Sequence, residues 1–321
     1  MDEIISVKKI IDVSLISTVY NEEKGIDSFF YSVLNMSVLP REIIIVDAGS
    51  KDGTLEKLES YSKKYNFVKI LVEKGCNIAQ GRNIAINACK CDIIAVTDAG
   101  CDIDKIWLEK IAEPFQSKEI DVVSGWYEPK IYNKFQELTS NILFTKVEFV
   151  NEETFLPSSR SIAFRKSAWK SVGGYPEHLS FAGEDTLFDI RLKEKNNKFF
   201  FQKDAIVFWE PRKNLKQYIK QIYLYSIGDA EASNSEYDYL KKIVFYFIVL
   251  LGILGSLLYV EIGIFLLLLV VYKYRIALSK KNKLKLLFLY IFTELIQIAG
   301  YIKGKTNLNV IKKNKIYRSV E

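Results

Sequence analysis

A chain of 321 residues is long enough for about two domains and a sizeable core. Its 49% hydrophobic, 13% aromatic and 26% charged residues, with only 16 Gly and 6 Pro, exclude a disordered, collagen-like or low-complexity protein. The net charge of +6 is unevenly spread: from Lys241 onward 14 Lys and Arg face 3 Asp and Glu, a balance of +11, which leaves 31 against 36, or −5, in residues 1–240. The mildly acidic front lacks the basic stripe of a nucleic-acid binder, so no such partner is expected. The positive tail is interleaved with apolar runs, the pattern of a membrane segment.

Residues 1–11 mix acidic and basic side chains and lack an apolar signal core, so the first domain is expected on the cytoplasmic side. Short β-branched runs at 12–18, 42–47 and 92–98 are apolar on both faces, as strands of a parallel sheet are. Helix-period segments at about 25–36, 52–65 and 78–89 alternate with them, which reads as a doubly wound α/β domain. Cys76, Cys89, Cys91 and Cys101 contain no C-x-x-C pair, so they read as small buried hydrophobes rather than zinc ligands. Beyond Gly125 the pattern turns irregular, with strands expected at 159–165 and 205–208 and helices at about 134–149 and 184–195. His178, the only histidine, falls in a Gly-Gly-Tyr-Pro turn region and reads as a loop residue.

Residues 212–240 form a polar, helical connection, and the membrane segment is expected over 241–303, followed by a basic tail at 304–321. Ile243 to Val260 is 18 uncharged residues, about 27 Å of helix and close to the bilayer core. A second span is expected at about 262–278, returning the chain to its starting side and making the protein multi-pass. The third apolar run, at 284–302, carries Glu294, Gln297, Tyr301 and Gly304 on one stripe. It reads as an interfacial helix or as a third span with that stripe against a partner, since crossing would put one of two basic flanks on the wrong side.

Ligands of open α/β sheets bind beyond the carboxyl ends of the strands. Those ends here read Thr18-Val19-Tyr20-Asn21-Glu22, Asp47-Ala48-Gly49-Ser50 and Asp98-Ala99-Gly100, with Arg82 and Asn83 on the helix before the last strand. A single rim aspartate would be a turn or cap residue; two, each followed by a small residue and a glycine, point to a ligand lying against the backbone. No G-x-G-x-x-G follows the first strand, and Gly304-Lys305-Thr306 lacks the glycine a phosphate loop needs at Ala299. A Mg²⁺ or Mn²⁺ ion on a strand-end aspartate is the economical way to hold a diphosphate.

The segments VSLISTVYNEE, EIIIVDAGSKDGT, NIAQGRNIAINACKCDIIAVTDAG and VGGYPEHLSFAGEDTLFDIRL, in this order, resemble the successive motifs of the family 2 glycosyltransferases, inverting enzymes of the GT-A fold. The resemblance covers about residues 12–230 and implies a glycosyltransferase domain over residues 1–211. By it, Thr18, Tyr20, Asn21, Glu22, Asp47, Arg82 and Asp98 would bind a UDP- or GDP-sugar, and Asp98 would open the metal-binding D-x-D motif. Asp185 of the Glu184-Asp185 pair would be the catalytic base. Gly100 replaces the second carboxylate of that motif, so Asp102 or water would have to complete the metal shell, and the later strand ends in Phe208-Trp209-Glu210 rather than in the histidine of many relatives. Gln221, Tyr225, Gly228 and Asp229 resemble the acceptor-side helix of membrane-associated members that build surface polysaccharides. Arg160, Trp209 and Arg212 are the acceptor-side candidates, and the expected acceptor is a lipid-linked glycan or polyprenyl phosphate. Two other readings are open: a silent donor-binding subunit, favoured by the degenerate D-x-D, and an enzyme whose lipid phosphate is itself the nucleophile.

Overall fold

The structure, a computed structural model, describes residues 8–180, 182–280 and 283–318. They divide into two compact units, one of Met1–Tyr132, Phe144–His178 and Glu184–Pro211, the other of Asn133–Leu143, Leu179–Gly183 and Arg212–Glu321.

In the first unit the strands are β1 (Ile10–Val19), β2 (Leu39–Asp47), β3 (Val68–Val72), β4 (Ile93–Val96), β5 (Cys101–Ile103), β6 (Val122–Pro129), β7 (Ile162–Arg165) and β8 (Phe199–Trp209). They form a sheet of order β3-β2-β1-β4-β7-β6-β8-β5. β1 runs parallel to β2 and β4, whereas β7 is antiparallel to both β4 and β6. This is the expected α/β sheet with a mixed second half.

The two faces follow from strand periodicity. Leu15, Ile43, Ile45 and Ala95 belong to one core, Ile16, Ile44, Val46, Ile94 and Val96 to the other. Helices α1 (Glu23–Leu34), α2 (Thr54–Lys64) and, after α3 (Ile78–Ala88), α4 (Trp107–Ala112) supply Phe29, Phe30, Leu58 and Trp107 to the first core. Burying each such side chain contributes about 1.5–3 kcal/mol. The opposite core takes Ala85 and Ile86 from α3, where an Asn77/Gln80 capping box fixes the helix start. Beyond α5 (Lys134–Leu143), it takes Trp169 from α6 (Lys166–Ser171) and Phe188 and Leu192 from α7 (Glu184–Glu194).

The second unit is helical: α5, α8 (Leu215–Glu231), α9 (Glu236–Ser256), α10 (Val260–Lys273), α11 (Arg275–Ser279) and α12 (Lys283–Arg318). Cysteine-free and rich in exposed apolar residues, α9 and α10 meet at a turn over 257–259. Among the described residues, two helical segments, Glu236–Ser256 and Lys283–Leu308, are long and apolar enough to cross a membrane. Over the second expected span the helix stops at Lys273 and restarts at Arg275. α12 lies along α8, with Tyr218 and Thr293 hydroxyls 2.8 Å apart and Leu289 packed against Tyr218 and Ile222. Its stripe of Glu294, Gln297, Tyr301 and Gly304 is turned onto neighbouring helices rather than left open.

Candidate active site

The carboxyl ends of β1, β2 and β4 form one rim, with Val19 opposite Asp47 in register. Asn21, at φ 55°, turns the chain sharply after β1. Its side chain accepts from the Lys51 amide at 2.8 Å and its own amide donates to Ser50 Oγ at 2.9 Å, while the Glu22 amide donates to Thr54 Oγ1 at 2.8 Å. Asn21 and Glu22 thus lock the first rim loop to the second. Thr18 is half-buried and Tyr20 is 53% exposed on this rim. Asp47 is fully buried: Oδ1 accepts from the Gly49 and Ser50 amides, both at 2.6 Å, and Oδ2 has no partner among the described residues. A buried carboxylate oxygen without a donor is costly, and a ligand N–H or O–H would satisfy it. Beside the loop that follows β3, Lys74, Cys76 and Glu177 are among the residues lining a cavity of ≈ 360 Å³, of the size that holds a small organic group.

Arg82 is the centre of the site. Gly81 lets α3 press against β1, since a Cβ there would lie 2.8 Å from the Thr18 methyl, and so brings Arg82 under the rim. Its guanidinium, 2% exposed, donates to Glu184 Oε1 at 2.6 Å and to Asp98 Oδ1 at 3.0 Å, with the Tyr175 ring 5.3 Å away. Burial pulls its pKa down, but the charges of Glu184 and Asp98 outweigh that and hold it above the ordinary arginine value. Glu184 is buried, and burial followed by the charge of Asp185 pushes its carboxyl up against the pull of Arg82. Next in the chain, Asp185 is half-buried at the α7 N-terminus, Oδ1 accepting from the Thr186 amide at 2.9 Å and Oδ2 from the Ser159 amide at 3.4 Å.

One turn further on, Asp189 is 1% exposed and neither of its oxygens has a partner among the described residues. Burial, then Asp185, pushes its carboxyl well above the usual range. Sequence reading passed it over, although a carboxylate between Phe188 and Ile190 on a helix bearing three other acids was a visible anomaly. Asn83, noted only as a neighbour of Arg82, pins the following turn: Oδ1 accepts from Trp169 Nε1 and the Tyr175 amide, and Nδ2 donates to the Tyr175 carbonyl and Glu177.

For a divalent metal the donors are sparse. Asp98 is 30% exposed and follows β4, and a side chain at Gly100 would meet open space. Asp102 is engaged elsewhere, accepting from Lys130 Nζ and, at 2.8 Å, from Ser28 Oγ. No group of three or more His, Cys, Asp or Glu among the described residues is arranged to hold a metal. Asp98 alone fits the shell of a cation that arrives with a diphosphate, because Mg²⁺ is commonly held by one or two carboxylates plus substrate phosphates and waters.

Arg160 stacks over Trp209 at 4.4 Å and lies 5.5 Å from the Tyr127 ring, with Nη1 donating to Ser158 Oγ. Two acceptor-side candidates therefore form one stack. Arg212 is exposed and belongs to the second unit. His178 is exposed, and all four cysteines are free thiols.

Residues 14–172 match the model of the family "Glycosyl transferase family 2", and the chain carries a family 2 glycosyltransferase domain on a GT-A fold. Among curated relatives, it is 29% identical over 206 residues to the glycosyltransferase AglE of Haloferax volcanii, covering 60% of this chain and 65% of that one. It is 26% identical over 201 residues to the poly-beta-1,6-N-acetyl-D-glucosamine synthase of Staphylococcus epidermidis, covering 56% and 47%. The chain thus spans less than two thirds of these relatives' length. A mannosyltransferase of Pyrobaculum calidifontis, solved in complex with GDP-Man and Mn²⁺, superposes with a TM-score of 0.65 at 15% identity, covering 91% of this chain and 86% of that one.

Proposed function

We propose that the protein transfers a sugar, with inversion, from a UDP- or GDP-sugar to an acceptor held at the membrane, a lipid-linked glycan or polyprenyl phosphate. One observation carries this reading: a single buried guanidinium brackets Asp98 at the end of β4 and Glu184 at the start of α7, so that the donor-side carboxylate and the acid pair belong to one site. Asp47 receives a donor N–H or O–H on its unpartnered Oδ2, with Thr18 and Tyr20 beside it on the rim. Asp98 would hold Mg²⁺ or Mn²⁺, whose charge would offset that of a diphosphate; the solved mannosyltransferase with GDP-Man and Mn²⁺ supports both donor and metal.

An acceptor hydroxyl is a poor nucleophile at neutral pH, and Asp185 takes its proton as it attacks the anomeric carbon from the face opposite the diphosphate. The amides of Ser159 and Thr186 hold that carboxylate in place. Glu184 orients rather than reacts, since its oxygen is held by Arg82. On the acceptor side, the Arg160–Trp209 stack offers a cation and a flat ring to a glycan or phosphate. The apolar helices of the second unit keep the enzyme where such acceptors reside, with the catalytic domain on the cytoplasmic side.

Asp185→Asn is expected to keep donor affinity, measured by thermal shift with Mn²⁺, and to lose about 10²-fold or more in transfer of labelled sugar to membrane lipid. Near-normal turnover would sink the assignment of the base. Gly100 and the engaged Asp102 favour a second reading, a donor-binding subunit without turnover. Metal-dependent transfer or hydrolysis of the donor distinguishes the two.

A further inference from the structure

The segment Leu179–Gly183 belongs to the helical unit, and the residues that follow it in the chain are Glu184 and Asp185. The last turn of α8 grips this segment at two positions three residues apart, which share one helix face. Buried Glu231 accepts the Ser180 amide on Oε2 at 2.7 Å. Gly228 lets the Ala182 carbonyl lie directly on the helix, since a Cβ at 228 would fall 2.2 Å from that oxygen, well inside van der Waals contact. Gly183, at φ +85°, comes equally close from its own side, and a Cβ there would meet the Gly228 carbonyl at 3.2 Å. Backbone thus touches backbone with no side chain between.

α8 is itself held by other helices. Gly304 of α12 packs on Ile227 and Ala230, and the Tyr239 hydroxyl of α9 donates to Asp229 Oδ2 at 2.7 Å. A change at Gly228 or Glu231 is therefore absorbed by the five-residue segment rather than by the helix. That segment leads straight into α7, whose first two residues are the acid pair. Glu184 is fixed by its 2.6 Å bond from Arg82, whereas the one tie from Asp185 to a distant part of the chain is the Ser159 amide at 3.4 Å. A bond of that length restrains little, so the path by which the chain enters α7 governs where the Asp185 carboxylate stands.

From this we infer that Gly228 and Glu231 are positioning residues for the base: by fixing Ala182 and Ser180 they set the entry of α7 and, through it, the aim of Asp185. Gly228, which by its motif resembles an acceptor-side residue, works here on the protein's own backbone. The inference deepens the proposed function and rests on Asp185 acting as the base.

The test follows the full chain in detergent as it transfers labelled sugar to a membrane lipid extract, with GDP-mannose, UDP-glucose and UDP-N-acetylglucosamine each assayed as donor. Gly228→Ala should lower kcat about 10²-fold, the effect of misplacing a reacting group by about 1 Å, with KM for donor and lipid unchanged. Glu231→Ala should lower kcat about tenfold, the value of one hydrogen bond to a charged group. Glu231→Gln keeps an acceptor oxygen for the Ser180 amide and should restore kcat to within about twofold of wild type. Tyr218→Phe, which removes the bond to Thr293 elsewhere on α8, should lower the melting temperature and leave kcat as it is. In an Asp185→Asn background, Gly228→Ala and Glu231→Ala should each cost less than about twofold, because residues that act through one group are not additive. Should Gly228→Ala not fold, the two Glu231 variants carry the test by themselves. Unchanged kcat in Glu231→Ala, an effect on KM alone, the same loss with and without Asp185, or an equal loss of kcat in Tyr218→Phe would overturn the proposal. Failure of the underlying reading has its own signature, namely no transfer by the wild type or near-normal transfer by Asp185→Asn alone.

Discussion

Asp189 is buried with neither carboxylate oxygen partnered among the described residues. Burial, followed by the charge of Asp185, raises its carboxyl above the unfolded-chain value, so over that interval the folded state binds more protons and stability falls as pH rises through it. Asp189→Asn removes this penalty while keeping the shape. The variant should melt at a higher temperature than the wild type at pH 8, and the gap should narrow toward pH 5 in parallel thermal scans. Gly100 is the opposite case, a position with room to spare. Gly100→Asp should therefore fold normally and lower the Mn²⁺ concentration needed for half-maximal activity by about tenfold, as an added carboxylate next to Asp98 would. Both rim aspartates and the Glu184-Asp185 pair were legible in the sequence as strand-end and helix-start acids. The Arg82–Glu184 bond was not, because it joins residues 102 apart and nothing local announces it.

At the scale of elements, the strands buried on both faces were legible because their apolar runs are nearly continuous. β3, β5 and β6 escaped notice: β3 is a five-residue edge strand with a lysine inside it, β5 has three residues, and β6 carries Ser124 and Gly125 amid its apolar positions. Gly125 is small because Ser161, just before β7, and the Ala205 carbonyl of β8 crowd it. The expected helix over 134–149 ends at Leu143 and is followed by a separate 3₁₀ turn at Val147–Phe149, and the polar connection contracts to α8, ended by left-handed Ser233 and Ser235. Close approach of α12 to α8 rests on Gly300 and Gly304, where a Cβ would lie 2.5 Å from the Tyr223 carbonyl and 2.6 Å from the Ile227 carbonyl. Gly300→Val should separate these helices and destabilise the protein by about 1–3 kcal/mol, the usual effect of overpacking. A lowered melting temperature in detergent with unchanged donor affinity would identify the damage as confined to the helical unit.

Over the whole molecule, the net charge of +6 resolves into an acidic catalytic part and a basic apolar part. Attachment by apolar helices predicts that isolated membranes washed in concentrated salt or alkaline carbonate keep the protein, and that detergent alone releases it, because salt screens charges but leaves apolar burial intact. Quantitative release by salt would show that only the lysines hold it. The bracket made by Arg82 has a further meaning for the enzyme as a machine. Asp98 and Glu184 are gathered by the protein's own cation before any substrate arrives, so their ordering belongs to folding rather than to each catalytic cycle. Under the proposed function a donor would meet a rim already assembled, and its binding energy would be free to act on the sugar itself.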